Sequence, residues 1–226
     1  MKLSIIIPAL NESALIQPCL ASLQGLRERG HEVIVVDGGS SDDTAEKAAP
    51  LTDHCLVSNR PGRAAQMNRG AVKASGDVLL FLHVDTSLPQ DVDILLRGEG
   101  VNKDSWGRFD VNLSGRQSLL RVVEAAMNLR SRLSGIATGD QAMFVGGRLF
   151  RQAGGFPDIP LMEDVGLSAR LKRIRPPRCL RHTVITSSRR WEERGILRTI
   201  LEMWWLRFLY YFGISPAHLA RQYYGS

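Results

Sequence analysis

Residues 1–44 read MKLSIIIPALNESALIQPCLASLQGLRERGHEVIVVDGGSSDDT, and their rhythm decides the fold. The β-branched run at 3–8 has the make-up of a buried strand. A polar loop follows, then a helix-like stretch over 13–29 that Gly30 ends. His31 and Glu32 lead into a second apolar strand at 33–36. The loop 37–41 then opens a helix over about 42–49, whose free amides Ser41 or Asp42 is placed to cap. Strand, helix, strand, helix in this order implies parallel βαβ units with right-handed crossovers. Moving outward, 55–58 reads as a short strand, 63–74 as a helix and 77–82 as a buried strand ending in His83, Val84 and Asp85.

Open α/β sheets bind ligands beyond the carboxyl ends of their strands. Polar clusters at 9–12, 37–41 and 83–86 fall at three such ends, so the sequence predicts one crevice there. Asp85 follows an apolar strand and precedes a loop, which aims its carboxylate into that crevice. Hard cations such as Mn²⁺ or Mg²⁺ favour a carboxylate or two plus phosphate oxygens over a full protein cage. Capping of the next segment is the other use of a lone Asp at such a place.

The second half is less regular. Residues 106–113 alternate like a strand, 118–133 carry helical spacing and 142–145 suggest another strand. A helix over 161–172 is entered through the acidic pair Glu163-Asp164, and Pro176-Pro177 stops any regular element from running on past it. Residues 195–212 are apolar and aromatic but interrupted by Arg198, Glu202 and Arg207, which argues against a membrane span.

The 226 residues suffice for one large domain, and the formal charge of +6 favours anionic company. Arginines are spread along the chain without a recognition-helix or zinc-finger pattern, so nucleic acid is not expected. Cys19, Cys55 and Cys179 match neither a disulfide framework nor a metal knuckle, and the apolar N-terminal run is too short for a signal peptide. A reducing, cytoplasmic location is the expectation, with the inner membrane face as its refinement.

IIIPALNE (5–12), VVDGGSSDDT (35–44), GRAAQMNRGA (62–71), GDVLLFLHVDT (76–86) and GGFPDIPLMEDVGLSARL (154–171) together resemble a family 2 glycosyltransferase. They occur in that family's order over about residues 1–190, with HxDT (83–86) in place of DxD, as in a small bacterial subgroup. The resemblance implies a GT-A fold: α/β, with a mainly parallel central sheet flanked by helices, and C-terminal helices. It implies one domain over 1–226, with 1–110 as the nucleotide-sugar half, 111–191 as the acceptor half and 192–226 as an aromatic helical segment. The implied activity is metal-dependent, inverting transfer from a nucleotide-diphosphate sugar, a UDP-sugar by default, to an acceptor hydroxyl. Loss of the first Asp of DxD leaves a nucleotide-sugar-binding protein as an alternative. Sugar nucleotidyltransfer fits less well, because its Gly-rich basic loop is not at 8–12.

Carried over by motif, Pro8, Ala9, Asn11, Glu12, Asp37 and Gly38 would form the nucleoside pocket. Arg63, at a helix start, suits a diphosphate or is merely exposed. Asp85 would hold Mn²⁺ or Mg²⁺, with His83 as ligand, supporting group or satisfied histidine, and His182 as a candidate to complete the shell. Asp164 would take the acceptor's proton while Glu163 orients the acceptor; two acids at a helix start also favour its dipole. Asp140 is a candidate for donor-sugar or acceptor contact, and Asp110 for partnering Arg108. Arg190 and Trp191 would approach the diphosphate and stack on the acceptor, or sit as a surface arginine and a core tryptophan. Residues 196–212 could meet a membrane near a lipid-linked acceptor, pack on the domain or form a homodimer seam.

Overall fold

The first βαβ units form as the apolar pattern dictates. In the computed structural model, which describes residues 1–58, 60 and 62–225, β1 (Leu3–Ala9) and β2 (Glu32–Asp37) lie parallel with nearly every residue buried. The predicted helix over 13–29 divides into α1 (Ile16–Ser22) and α2 (Gln24–Glu28). Its first turn is drawn off because the Ser13 N–H donates to Asp42 Oδ2, at 3.2 Å. The break comes where Leu23 and Leu26 bond three residues back and the Gln24 amide donates to the Leu20 and Leu51 carbonyls. Next come α3 (Thr44–Ala48), β3 (His54–Val57), α4 (Arg63–Lys73) and β4 (Val78–Phe81). Asp42, rather than Ser41, receives the Thr44 N–H at 3.1 Å.

Beyond β4 run β5 (Thr86–Ser87), α5 (Val92–Gly98), β6 (Trp106–Leu113), α6 (Ser118–Ser134), β7 (Phe144–Gly146), α7 (Gly147–Gln152), α8 (Glu163–Ile174) and β8 (Arg178–Thr186). Helices α9 (Arg189–Arg194), α10 (Ile196–Tyr211) and α11 (Pro216–Tyr224) complete the order. One eight-stranded sheet runs β3-β2-β1-β4-β7-β6-β8-β5. It is parallel from β3 to β4 and mixed beyond, because β7 is antiparallel to both β4 and β6. Strand β8, parallel to β6, is not legible in the sequence. A register shift opposite Arg108 and Asp110 leaves consecutive Arg181 and His182 exposed, and the alternation that marks a strand is lost.

Strand alternation divides the core. Ile5, Ile7, Val33, Val35 and Leu80 pack under α1, α2 and α5, while Ile6, Ile34, Val36, Leu79 and Phe81 pack toward α4, α7 and α8. Arg108, fully buried, is held by Asp110, by Ser131 Oγ at 3.0 Å and by the Asn128 carbonyl at 3.1 Å, which fastens β6 to α6. No helix among the described residues is long and apolar enough to cross a membrane.

Asp93 on α5 joins three elements at the amino ends of the strands. Its oxygens accept from Arg29 at 2.8 and 3.0 Å, and the His31 Nε2–H donates to it at 3.1 Å because Nδ1 accepts from the Leu3 N–H. Those bonds, led by that from Arg29, hold the Asp93 carboxyl well below its ordinary 3.8. Its contribution is therefore present above that value and lost as pH falls through the lower folded-state value. Asp93→Asn should cost about 1–3 kcal/mol at pH 7 and flatten the acid limb of a urea-monitored stability profile. An unchanged acid limb would show that the Arg29–Asp93–His31 link carries no such stabilisation.

Candidate active site

The carboxyl ends of β1 and β2 are tied into one wall. Gln66 on α4, nearly fully buried, donates through its amide to the Ala9 carbonyl at 2.8 Å and the Val36 carbonyl at 2.9 Å. The Gly38 N–H also reaches the Ala9 carbonyl, at 2.8 Å. Asn11 takes the left-handed conformation, with φ 54°, which its short polar side chain tolerates. From there its N–H donates to Ser40 Oγ and its Oδ1 accepts from the Ser41 N–H. Asp37 accepts from the Gly39 and Ser40 amides, both at 2.9 Å, and from the Ser40 hydroxyl. Pro8, Ala9, Glu12, Gly38 and Arg63 do line a common cleft of about 580 Å³, a volume suited to a nucleotide-sized ligand. Asn11 and Asp37 build its wall instead. Tyr224 of α11 closes another side, a contribution the sequence does not signal.

A smaller inner pocket opens beside Arg63 and is lined by His83, Gly139, Glu163 and Asp164. Its geometry rests on the 3₁₀ turn Gly139–Gln141, capped by Thr138. The Gly139 N–H donates to Asp164 Oδ2 at 2.9 Å, while Asp164 Oδ1 accepts from the Val165 N–H at 2.7 Å. A side chain at position 139 would place its Cβ 2.5 Å from His83 Nε2, so only glycine lets ring and turn approach so closely. Opposite, the turn before α8 needs Gly155 at φ 67°, where Asn68 Oδ1 accepts from the Phe156 N–H and its amide donates to the Phe156 carbonyl. That pair docks the approach to Glu163-Asp164 onto α4.

The carboxylates interact across this turn. Burial, then the charge of Asp140, raises Asp85; burial, then Asp85, raises Glu12. Burial and Asp164 raise Glu163, which is 7% exposed, against the opposing pull of Arg63, 3.9 Å away. For Arg63, burial works against the charge, but Glu163 and further carboxylates hold it above its ordinary value. His83 is pushed down to about 3 by burial and Arg63, and is therefore a neutral imidazole near Asp140, 3.6 Å away.

His182 is not brought to this group. It is half-exposed, its Nε2 is 3.3 Å from Glu99, and it lies roughly 16 Å of extended strand from Ser187, whose N–H donates to the Asp85 carbonyl at 3.2 Å. Trp191 packs beside Leu113, Leu120, Val123 and Ile196, in the structural place. Arg190 lies 3.9 Å over the Tyr223 ring, with Asp140 among its electrostatic neighbours. Sequence reading missed Gln66, whose role needs both strand ends in register, and Arg130 and Arg207, whose charges act on Asp164 from α6 and α10.

Among the described residues, no three His, Cys, Asp or Glu side chains converge on one point. A hard cation sharing its shell with phosphate oxygens needs fewer. The fit is carried by Asp85 and Asp140: the two carboxylates repel each other, and among the described residues the Thr86 hydroxyl, at 3.4 Å, is the one side-chain hydrogen-bond partner of Asp85.

The sequence model of glycosyl transferase family 2 matches residues 4–96. A "PGL/p-HBAD biosynthesis glycosyltransferase" of Mycobacterium bovis is 41% identical over 100 residues, covering 42% of this chain and 39% of that protein. The chain thus spans about two fifths of that relative's length. Glucosyl-3-phosphoglycerate synthase from Mycobacterium tuberculosis, solved with Mn²⁺, UDP and glucosyl-3-phosphoglycerate, superposes at a TM-score of 0.60 and 21% identity. That match covers 80% of this chain and 70% of the synthase. A mannosyltransferase from Pyrobaculum calidifontis, solved with GDP-Man and Mn²⁺, has a TM-score of 0.61 at 20% identity, over 81% of this chain and 56% of that one. At these identities the superpositions establish the fold.

Because Glu163 holds its proton above the ordinary 4.5, the folded state binds it more tightly than the unfolded chain does. The associated stabilisation is present below 4.5 and is lost as pH rises through the folded-state value. Glu163→Gln stays neutral, so its melting temperature should gain on the wild type between pH 4.5 and 8. A gap between the two that is constant across that range would contradict the raised carboxyl.

Proposed function

Residues 4–96 belong to glycosyl transferase family 2 and the chain has the GT-A fold, and on that premise we propose that it transfers a sugar from a nucleotide-diphosphate donor to an acceptor hydroxyl. The observation that carries this reading is the Gly139–Gln141 turn, whose Asp140 charge acts on Asp85 and whose first N–H is donated to Asp164. On this reading Asp85 and Asp164, far apart in sequence, serve one site next to a cleft of nucleotide size. The cleft lined by Pro8, Ala9, Glu12 and Gly38 takes the nucleoside, and Arg63 faces the diphosphate. Uridine is the favoured nucleoside, because the similar mycobacterial synthase was solved with UDP.

Asp85 and Asp140 would hold Mn²⁺ or Mg²⁺, which when bound supplies positive charge to the departing diphosphate. Asp164 is the base of the reaction. Each of its oxygens accepts one backbone N–H, which locks the carboxylate while leaving lone pairs for an acceptor hydroxyl. As that oxygen attacks the anomeric carbon, its proton passes to Asp164 and the bond to the diphosphate oxygen breaks; a single displacement of this kind inverts the carbon. Glu163 orients the site through Arg63, and neutral His83 supports the turn at Gly139.

The outer face of α10 supports a cytoplasmic membrane surface as the workplace, and with it a lipid-linked acceptor. Leu197, Leu201, Trp204, Phe208 and Tyr211 follow helical spacing on one side, with Trp204 69% and Tyr211 86% exposed. With the chain's net charge of +6, such a face suits anionic lipid.

Asp164→Asn should lower turnover by about 10²–10⁴-fold in a nucleoside-diphosphate release assay, with calorimetric donor affinity preserved. Loss of donor binding without a selective rate defect would remove Asp164 from the base role. The protein should float with anionic liposomes at low salt and less so at high salt. Failure to float, or a dimer in which α10 is protected, would remove the membrane role.

A further inference from the structure

Arg130 on α6 and Arg207 on α10 lie within electrostatic reach of Asp164, and Arg130 also feels the charge of Arg207. Arg130 Nε and Nη2 and Arg207 Nε are buried and have no hydrogen-bond partner among the described residues. Asp164 and Asp140 are the acidic groups both arginines feel, yet neither arginine forms an ion pair with them within 4.0 Å. Burial and the charge of Arg207 push Arg130 down to about 10, and burial lowers Arg207. Keeping three orphaned donors out of water is costly, and Arg108 shows the contrast, with its guanidinium fully engaged by α6 and Asp110.

Position gives the pair a direction. The cations that act on Asp85 and Glu12, on the donor side, are Arg63 and Arg189. Arg130 and Arg207 act on Asp164 ahead of Asp140, and the proposed base stands on the acceptor's side of the sugar. A guanidinium fork matches the planar or tetrahedral edge of an oxyanion.

We propose that Arg130 and Arg207 form an oxyanion subsite that binds a phosphate group carried by the acceptor and thereby brings its hydroxyl to Asp164. This rests on the glycosyltransferase reading and names the acceptor's chemical class. The phosphate belongs either to a soluble ester or to a lipid headgroup. The geometry serves both, since α10 presents Arg207 inward and its aromatic row outward.

The test is calorimetric titration of inorganic phosphate and glycerol phosphate into protein saturated with UDP and Mg²⁺, at ionic strength held with chloride. Parallel flotation would use phosphatidic acid or phosphatidylcholine vesicles. A phosphate should bind in addition to UDP, about tenfold or more weakly in Arg130→Gln and Arg207→Gln, and unchanged in Arg198→Gln, which removes an exposed charge from the same helix. Arginine-dependent binding of the soluble ester assigns that source; arginine-dependent binding confined to phosphatidic acid assigns the headgroup. Displacement of phosphate by UDP, or equal affinity in all variants, overturns the subsite. If the glutamine variants fail to fold, the UDP-saturated wild type decides: no phosphate-specific rise in melting temperature and no preference for phosphatidic acid overturns it too. Intact UDP binding alongside those negatives leaves the glycosyltransferase reading standing, whereas a wild type that binds no nucleotide strikes that reading itself.

Discussion

The hydrogen bond from the Gly139 N–H to Asp164 Oδ2 fastens the turn that carries Asp140 to the start of α8, at the point where chemistry is proposed. The turn that donates it lies between α6 and β7, and the carboxylate that accepts it opens α8. On the turn's other side the His83 ring lies so close that a Cβ at position 139 would collide with it. One backbone amide therefore sets the distance between the end of β4 and the start of α8. Thr138 caps the turn through Gln141, and Asn68 pins the approach to α8 from below.

Charges around this turn are interleaved rather than paired off. Asp85, Glu12 and Asp140 crowd one side, Glu163 and Asp164 the other, with Arg63 exerting a field on all five. Such crowding opposes folding, because buried like charges repel and lose hydration. The rest of the protein offsets it with central strands β1, β2 and β4 buried on both faces and with fully engaged polar links such as Arg29–Asp93–His31 and Arg108–Asp110. Strain is thus concentrated where a ligand's own charges would relieve it, as expected of a binding site.

Helix α10 works in two directions. Its inner face carries buried Thr199 and Leu206 and sends Arg207 toward Asp164, while its outer face is an unbroken apolar and aromatic row. In the linear sequence the charged residues of 195–212 look like interruptions. In three dimensions Glu202 meets Arg194, Arg207 turns inward, and the row is continuous. An acceptor with an acidic head and an apolar body would find both parts of its complement on this one helix.

What the sequence determined alone was the regular half. Burial on both faces of parallel strands demands continuous β-branched runs, so 3–8, 33–36 and 77–82 announce their strands, and ligand sites follow at the polar residues that end them. Gly155 and the acids at 85, 163 and 164 were legible because their motifs occur as an ordered set, whereas Gly139 lies outside that set. Tertiary structure alone decided the rest. The bulge opposite β6 hid β8 by upsetting its alternation, and His182 was turned toward Glu99 rather than Asp85. The same holds for Gln66, Arg130 and Arg207, whose roles depend on groups 30 to 77 residues away. Local pattern reports which face of a strand or helix is buried; it carries no information on which distant backbone or charge that face will meet.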